Sequence, residues 1–270
     1  MTFATFETSA SQGQPEELYE FRRGVSVWRY TSAQEDQTLG LDVYTATPMQ
    51  RATIKQTGDL NQQRLDLTCA RDIAIAAEFI AAPPSEVTLL TVRRRHGTDT
   101  DYAVVWMGRV LGAQWADKAS VTLHCEPVST SLKRTGLRRL YQRNCPHVLY
   151  GVPCGASTAA VQFTAAASAI AGNVVTVPGA SAKPDGWYTG GYASWNAGGA
   201  SVRRMITGHT GDTVTLSAAP LDLTVGLQVA LLPGCDHTLA TCDAKFANSA
   251  NYGGFPFIPT SNPLGGATVF

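Results

Sequence analysis

Nowhere in the 270 residues does an apolar run approach the roughly 18–20 residues of a membrane-spanning helix. Residues Met1–Ala10 lack the basic start and apolar stretch of a secretory leader, so synthesis in a cytosol is expected. Charge of one sign is not in excess: Lys+Arg and Asp+Glu are both 21. No global field therefore draws the chain to nucleic acid or an anionic membrane. Internal repeats and low-complexity tracts are absent. With 44% hydrophobic and 16% charged residues, the composition is also too ordinary for a disordered tail. The length suits one large or two small domains.

What is present favours strands and turns. Gly, Ala, Thr, Ser and Val are abundant. Arg64–Cys69 alternates strictly, with Leu65, Leu67 and Cys69 on one face. Ser120–Cys125 repeats the pattern with Val121, Leu123 and Cys125. Val25–Tyr30, Glu86–Arg93 and Tyr102–Leu111 are further β-rich runs. Gly97-Thr98-Asp99 marks a turn. Helical signals are few, at Arg71–Ala82 and Leu132–Tyr141. Strands at this spacing predict a mainly β fold of barrel or sandwich type.

The composition shifts after Gly155. From about 156 to 232 the chain carries few charges and reads as short strands at Asn173–Val177, Ser201–Thr207, Asp212–Ser217 and Leu227–Leu232. Gly208–Asp212 fits a hairpin turn. The expected organisation is a domain of residues 1–155 plus 233–270, interrupted by an inserted β-domain of residues 156–232. From Asn248 to Phe270 the chain is rich in Gly and Pro and reads as loop.

Six cysteines fall into two classes. Cys69 and Cys125 end apolar alternating faces and behave as small core hydrophobes. The other four form two pairs. Cys145 and Cys154 have eight residues between them; Cys235 and Cys242 have six. The inserted domain would leave from one pair and return into the other, so all four thiols could meet at its base. In a cytosol such a group reads as metal-binding or catalytic. Thiolates are soft ligands that suit zinc or the irons of a cluster. Zinc knuckles usually space each pair by about two to four residues. By spacing alone an iron–sulfur cluster, zinc and disulfides all stay open. Arg138, Arg139 and Arg143 are placed to offset thiolate charge. Gly151, Gly155 and Gly234 would let backbone N–H groups approach sulfur.

Other polar and aromatic groups have mostly ordinary readings. His147 and His237 each follow a cysteine by two residues and are expected to cap loops or pack on the site wall rather than ligate. His209 lies in a turn and is expected in solvent. The basic runs Arg93–Arg95 and Lys133–Arg143 read as solvated faces. Asp99 and Asp101 sit in a polar turn. Trp187, Tyr188, Tyr192 and Trp195 would either fill the core of the inserted domain or present a binding platform.

Three stretches carry a family likeness. They are Cys145-Pro-His-Val-Leu-Tyr-Gly-Val-Pro-Cys154-Gly155, Gly234-Cys-Asp-His-Thr-Leu-Ala-Thr-Cys242 with Lys245-Phe-Ala-Asn248, and Asn251-Tyr-Gly-Gly-Phe-Pro-Phe-Ile-Pro259. With them the chain resembles tail baseplate hub proteins of long-tailed phages and gene transfer agents, themselves similar to the tail-tip protein of lambdoid phages. The resemblance implies a β-barrel-like hub domain that continues the tail tube, an inserted small β-domain and a loop-rich C-terminus. It implies a [4Fe–4S] cluster on Cys145, Cys154, Cys235 and Cys242, with zinc as the alternative. The implied partners are two further copies in a homotrimer, a distal tail protein, a larger central tail-tip protein, and DNA or tape protein passing through the lumen. The place implied is the virion tail tip, after synthesis in a host bacterial cytoplasm.

The expected role is a structural hub, not an enzyme. A zinc-stabilised carbohydrate- or protein-binding tail module is one alternative, and an iron–sulfur redox enzyme another. Four cysteines used as ligands leave no nucleophile beside a base. Gly151–Gly155 does not follow a strand as a phosphate loop would.

Overall fold

The structure is a computed structural model and describes residues 3–9, 15–55, 64–80, 83–96, 102–133, 136 and 139–259. Period-two alternation builds most of it. In β6 (Leu65–Ala70), Leu65, Leu67 and Cys69 are buried while Asp66 and Thr68 face out. β9 (Ser120–Pro127) buries Val121, Leu123 and Cys125 in the same way. The two strands pair antiparallel, Leu67 opposite Leu123. Such side chains each contribute about 1.5–3 kcal/mol by leaving water.

The fold is mainly β with curled, half-barrel sheets. The chain divides into two compact units, residues 1–134 and 135–270. In the first, β1 (Pro15–Arg23), β2 (Ser26–Thr31), β3 (Gln37–Leu39), β4 (Asp42–Ala46), β5 (Met49–Arg51), β6, β7 (Thr88–His96), β8 (Ala103–Gln114) and β9 form one sheet. Its order is β3-β4-β2-β1-β7-β8-β9-β6-β5. Tyr19, Phe21, Leu65, Leu90, Val92 and Leu123 fill the core.

β1 shows no alternation, and sequence reading misses it. Five consecutive residues, Glu17 to Phe21, are buried. The reason is charge pairing across the sheet. β1 and β7 place Glu16 opposite Arg95 and Glu17 opposite Arg94. The Glu17 carboxylate meets Arg51 at 2.7 Å and Arg94 at 2.5 Å, and accepts the Tyr19 hydroxyl at 2.6 Å. Arg93–Arg95 is therefore not a solvated face: its guanidiniums are taken up by Glu16, Glu17 and Glu20.

The helical expectations shrink. Arg71–Ala82 holds one turn, Ala74–Ala77. Its neighbours Ile73 and Phe79 wedge into the core, and tertiary packing overrides propensity. In Leu132–Tyr141 the described residues hold no α-helix; the 3-10 turn Val128–Lys133 ends there.

The second unit carries β10 (Phe163–Ala166), β11 (Ala169–Ala171), β12 (Val174–Thr176), β13 (Tyr192–Ala197), β14 (Ala200–Thr210), β15 (Thr213–Leu216) and β16 (Gln228–Leu232). They form an antiparallel sheet in the order β10-β16-β13-β14-β15-β12-β11. Tyr188, Trp195, Ile206, Leu216 and Leu231 make its core. The partition expected from sequence grouped 145–155 and 233–270 with the N-terminal half. By compactness these segments lie in the same unit as residues 156–232.

Candidate functional site

The cysteine site is built around the helix Leu239–Phe246. Thr238 caps it by accepting the Thr241 N–H at 3.3 Å. Asp236 in turn accepts the N–H and hydroxyl of Thr238 at 2.9 and 2.8 Å. Burial raises the Asp236 pKa, but these bonds outweigh it and hold the carboxyl below its ordinary value. The helix stops at Ala247, whose φ of 47° is left-handed. Cys242 is thus a buried helix residue, while Cys235 sits on the approach to the cap.

Three segments are tied together around this helix, mainly by side-chain donors to backbone carbonyls. The Cys145 N–H donates to His237 C=O at 2.9 Å. The Cys145–Gly155 loop closes on itself through Cys154 N–H to Gly151 C=O at 3.0 Å. Tyr150 donates its hydroxyl to Pro233 C=O at 2.7 Å. The Asn248 amide donates to Cys154 C=O at 2.6 Å. The Tyr252 hydroxyl lies 2.7 Å from Arg143 C=O and 3.1 Å from His237 C=O.

This arrangement explains the Asn-Tyr-Gly-Gly-Phe-Pro stretch. A side chain at Gly253 would meet the His147 ring, and one at Gly254 the backbone of Arg143 and Asn144. Two glycines let the chain lie flat on residues 143–147. The Gly253 N–H then points at Cys145 Sγ, 3.4 Å away.

Cys145, Cys154, Cys235 and Cys242 line one small pocket, of about 20 Å³, together with Leu149 and Phe246. Burial pushes the Cys235 and Cys242 thiols up, and the other site cysteines push them further. Burial and the neighbouring sulfurs thus disfavour the thiolate form at Cys235 and Cys242. Cys235 Sγ accepts the His237 N–H at 3.3 Å, and Cys242 Sγ lies 3.3 Å from Asn248 C=O. Among the described residues, no three His, Cys, Asp or Glu side chains are grouped as one metal ion requires. Zinc with Zn–S of about 2.3 Å would hold tetrahedral sulfurs about 3.8 Å apart.

The remaining expectations divide. Cys69 and Cys125 are buried strand residues, and burial pushes the Cys69 thiol up to about 12. His147 and His237 are on the pocket wall. The His147 ring is held through Nδ1, 3.2 Å from Asn251 C=O. His209 is not solvated: it is 5% exposed and packs edge-on against Tyr188 at 4.8 Å. Tyr188 and Trp195 are core residues; Trp187 and Tyr192 are half-buried. Donors to sulfur come from the His237 and Gly253 backbone amides and from the Asn248 side chain, 3.9 Å from Cys154 Sγ. The amides of Gly151 and Gly155 instead close turn bonds to Val148 and Gly151. Gly234 does approach backbone closely, against Thr189–Gly191. Gly97, Thr98, Asp99, Asp101 and Arg138 lie outside the described residues. Asn248, Tyr252 and Lys245 stand inside or beside the quoted motifs, but one-dimensional spacing assigns them no role.

Comparison with known proteins places this architecture. The family described as "Baseplate hub protein, N-terminal attachment domain" matches residues 19–157. A second, described as "Phage conserved hypothetical protein BR0599", matches residues 186–262. The first match ends just beyond Cys154, and the second contains Cys235 and Cys242. An uncharacterized protein of Xylella fastidiosa (strain 9a5c) is 25% identical over 162 residues, 56% of this chain and 34% of its own length. The chain thus spans about a third of that relative. A chain from the solved "Virion of native gene transfer agent (GTA) particle" is similar in fold. Its TM-score is 0.73 at 18% identity, covering 99% of this chain and 97% of that one. The first family match takes in just over half of the residues, so the chain belongs to the baseplate hub N-terminal attachment domain family. It is a structural component of a phage tail, located in the virion.

Proposed function

We propose that this chain is a tail-tip hub whose Cys145, Cys154, Cys235 and Cys242 hold a [4Fe–4S] cluster as a structural fastening. One observation carries the reading: four thiols from segments about 80 residues apart line a single, largely apolar pocket. Soft, mutually repelling sulfurs suit an iron–sulfur group. The bound group would supply cross-linking. Closing a long segment with a metal clip lowers the entropy of the unfolded chain. The need is local, because residues 139–157 and 233–238 contain no strand or α-helix.

The role is structural rather than enzymatic, since the thiols are ligands and none is left as a nucleophile. Burial of Tyr188 and Trp195 counts against an aromatic sugar platform. The hub assembles as a homotrimer, next to a distal tail protein and a larger central tail-tip protein, with DNA or tape protein passing its lumen. An exposed apolar row on β7 and β8, Leu89, Val104, Met107 and Leu111, supports contact between copies. A bulge between Val92 and Arg93 helps create it, turning Val104 out although Trp106 is buried.

The test is anaerobic purification followed by visible absorption and assays of iron and sulfide. Iron and inorganic sulfide in equal amounts are expected. Stoichiometric zinc without iron would overturn the cluster.

A further inference from the structure

Helix Leu239–Phe246 presents Lys245 three residues after Cys242, on the same side of the helix. Its ammonium does not reach solvent freely. It donates to Gly234 C=O at 2.8 Å and to Trp187 C=O, and sits 4.8 Å from the centre of the Trp187 ring. Gly234 is the residue before Cys235, and its backbone is pressed against Thr189–Gly191. Lys245 thus stands behind the Cys235 arm of the site, with few positions open to it. Burial lowers its ammonium pKa, while Cys235 and Asp236 draw it back up. By contrast Arg139 and Arg143, the cations that spacing suggested, are exposed side chains.

An ammonium held by two carbonyls in a half-buried position keeps its field in a fixed place and is weakly screened. A cluster on four thiolates is a net anion, and its reduction adds one electron and one further negative charge with no bond made or broken. A fixed cation therefore favours the reduced state over the oxidised one. We propose that Lys245 is the site's built-in counter-charge: it raises the reduction potential of the group held by the four cysteines and slows that group's loss. The inference rests on the cluster reading of the preceding section.

The test uses the full chain, purified without oxygen, as wild type, Lys245→Gln and Lys245→Arg. Glutamine keeps N–H donors for the two carbonyls and removes the charge; arginine keeps the charge. Iron and sulfide are assayed first, and a wild type without them overturns this inference together with the cluster. With clusters present, midpoint potentials are measured by dithionite titration, and cluster loss is followed by absorbance in an iron chelator. Lys245→Gln is expected to shift to a more negative potential and to lose iron several-fold faster. Lys245→Arg should stay near wild type in both. A loaded Lys245→Gln protein with wild-type potential and wild-type loss rate overturns the counter-charge and leaves the cluster standing. Should Lys245→Gln fail to fold, the wild type alone decides. Its potential should be nearly flat with added salt, and a steep rise with salt overturns the inference.

Discussion

Asn248 donates its side-chain amide to the backbone carbonyl of Cys154 across 94 positions of sequence, at 2.6 Å. The same residue's own carbonyl lies 3.3 Å from Cys242 Sγ. One asparagine therefore joins the first cysteine loop to the helix that carries the last cysteine. Asn248→Ala leaves the Cys154 carbonyl without this donor, and a cost of about 1–2 kcal/mol is expected. Asn248→Asp should be at least as costly, because a carboxylate cannot donate. Denaturant unfolding of the three proteins checks both values, and an unchanged midpoint for the alanine variant would remove Asn248 from the site.

Cys242 is the most buried of the four pocket thiols. Cys242→Ser is expected to lose the proposed cluster. Amide exchange should then rise at residues 141–155 and 233–258, with β6 through β9 protected as in wild type. Mass-spectrometric exchange of the loaded protein and the variant reads this directly. Loss of the proposed trimer is expected to accompany it, and normal assembly would argue against a fastening role.

Gly234 admits no side chain, since a Cβ there would overlap Thr189 C=O and the backbone of Gly190 and Gly191. The obstacle is backbone, which does not rotate away. Gly234→Ala should cost at least as much as typical overpacking, about 1–3 kcal/mol. Gly226→Ala is a useful contrast, because open space surrounds that position and only its φ of 93° is strained. Thermal unfolding should rank Gly234→Ala below Gly226→Ala.

In the first unit, Glu17 is the shared partner of Arg51 and Arg94. Glu17→Ala leaves the Arg51 guanidinium, about 14% exposed, without its carboxylate, and leaves Arg94 with Glu7 alone. Breaking a buried pair from one side costs about 3–5 kcal/mol, so the variant is expected to be poorly folded. Yield and chemical denaturation measure it. A loss below about 1 kcal/mol would show that water replaces the carboxylate easily.

Acid should weaken the same sheet. Burial raises the Glu20 pKa, but Arg93, Arg22, Tyr44 and Arg29 together reverse this and leave it below 4.5. Glu7 is lowered likewise, burial being outweighed by Arg94 and His96. A carboxyl with a depressed folded pKa contributes stability that is fully present above the unfolded value. That stability is lost as pH falls below 4.5 and through the folded pKa. Denaturation from pH 7 to pH 3 should show it, and Glu20→Gln should be weaker at neutral pH with a flatter acid limb.

Much of this was legible in one dimension. Strict alternation marks β6 and β9, and β-rich runs mark β2, β7 and β8, because a half-buried strand needs only its own period of two. Cys69 and Cys125 separate from the other cysteines for the same reason. β1 was not legible, because its buried glutamates look like surface residues until Arg51 and Arg94 are brought alongside. Nor was the burial of His209 visible in a turn-like Gly-His-Thr-Gly-Asp stretch: packing against Tyr188 decides it, not local sequence.

By itself the sequence determined a mainly β chain, short strands after Gly155, and two cysteine pairs set in distinctive glycine-rich surroundings. Only the tertiary structure decided which segments share a compact unit, that four thiols line one pocket, and that Asn248, Tyr252 and Lys245 hold it together. The physical reason is the range of the interactions. Periodicity reports the two faces of one strand, whereas the bonds around the cysteines mostly join residues tens of positions apart and leave no periodic trace in the chain.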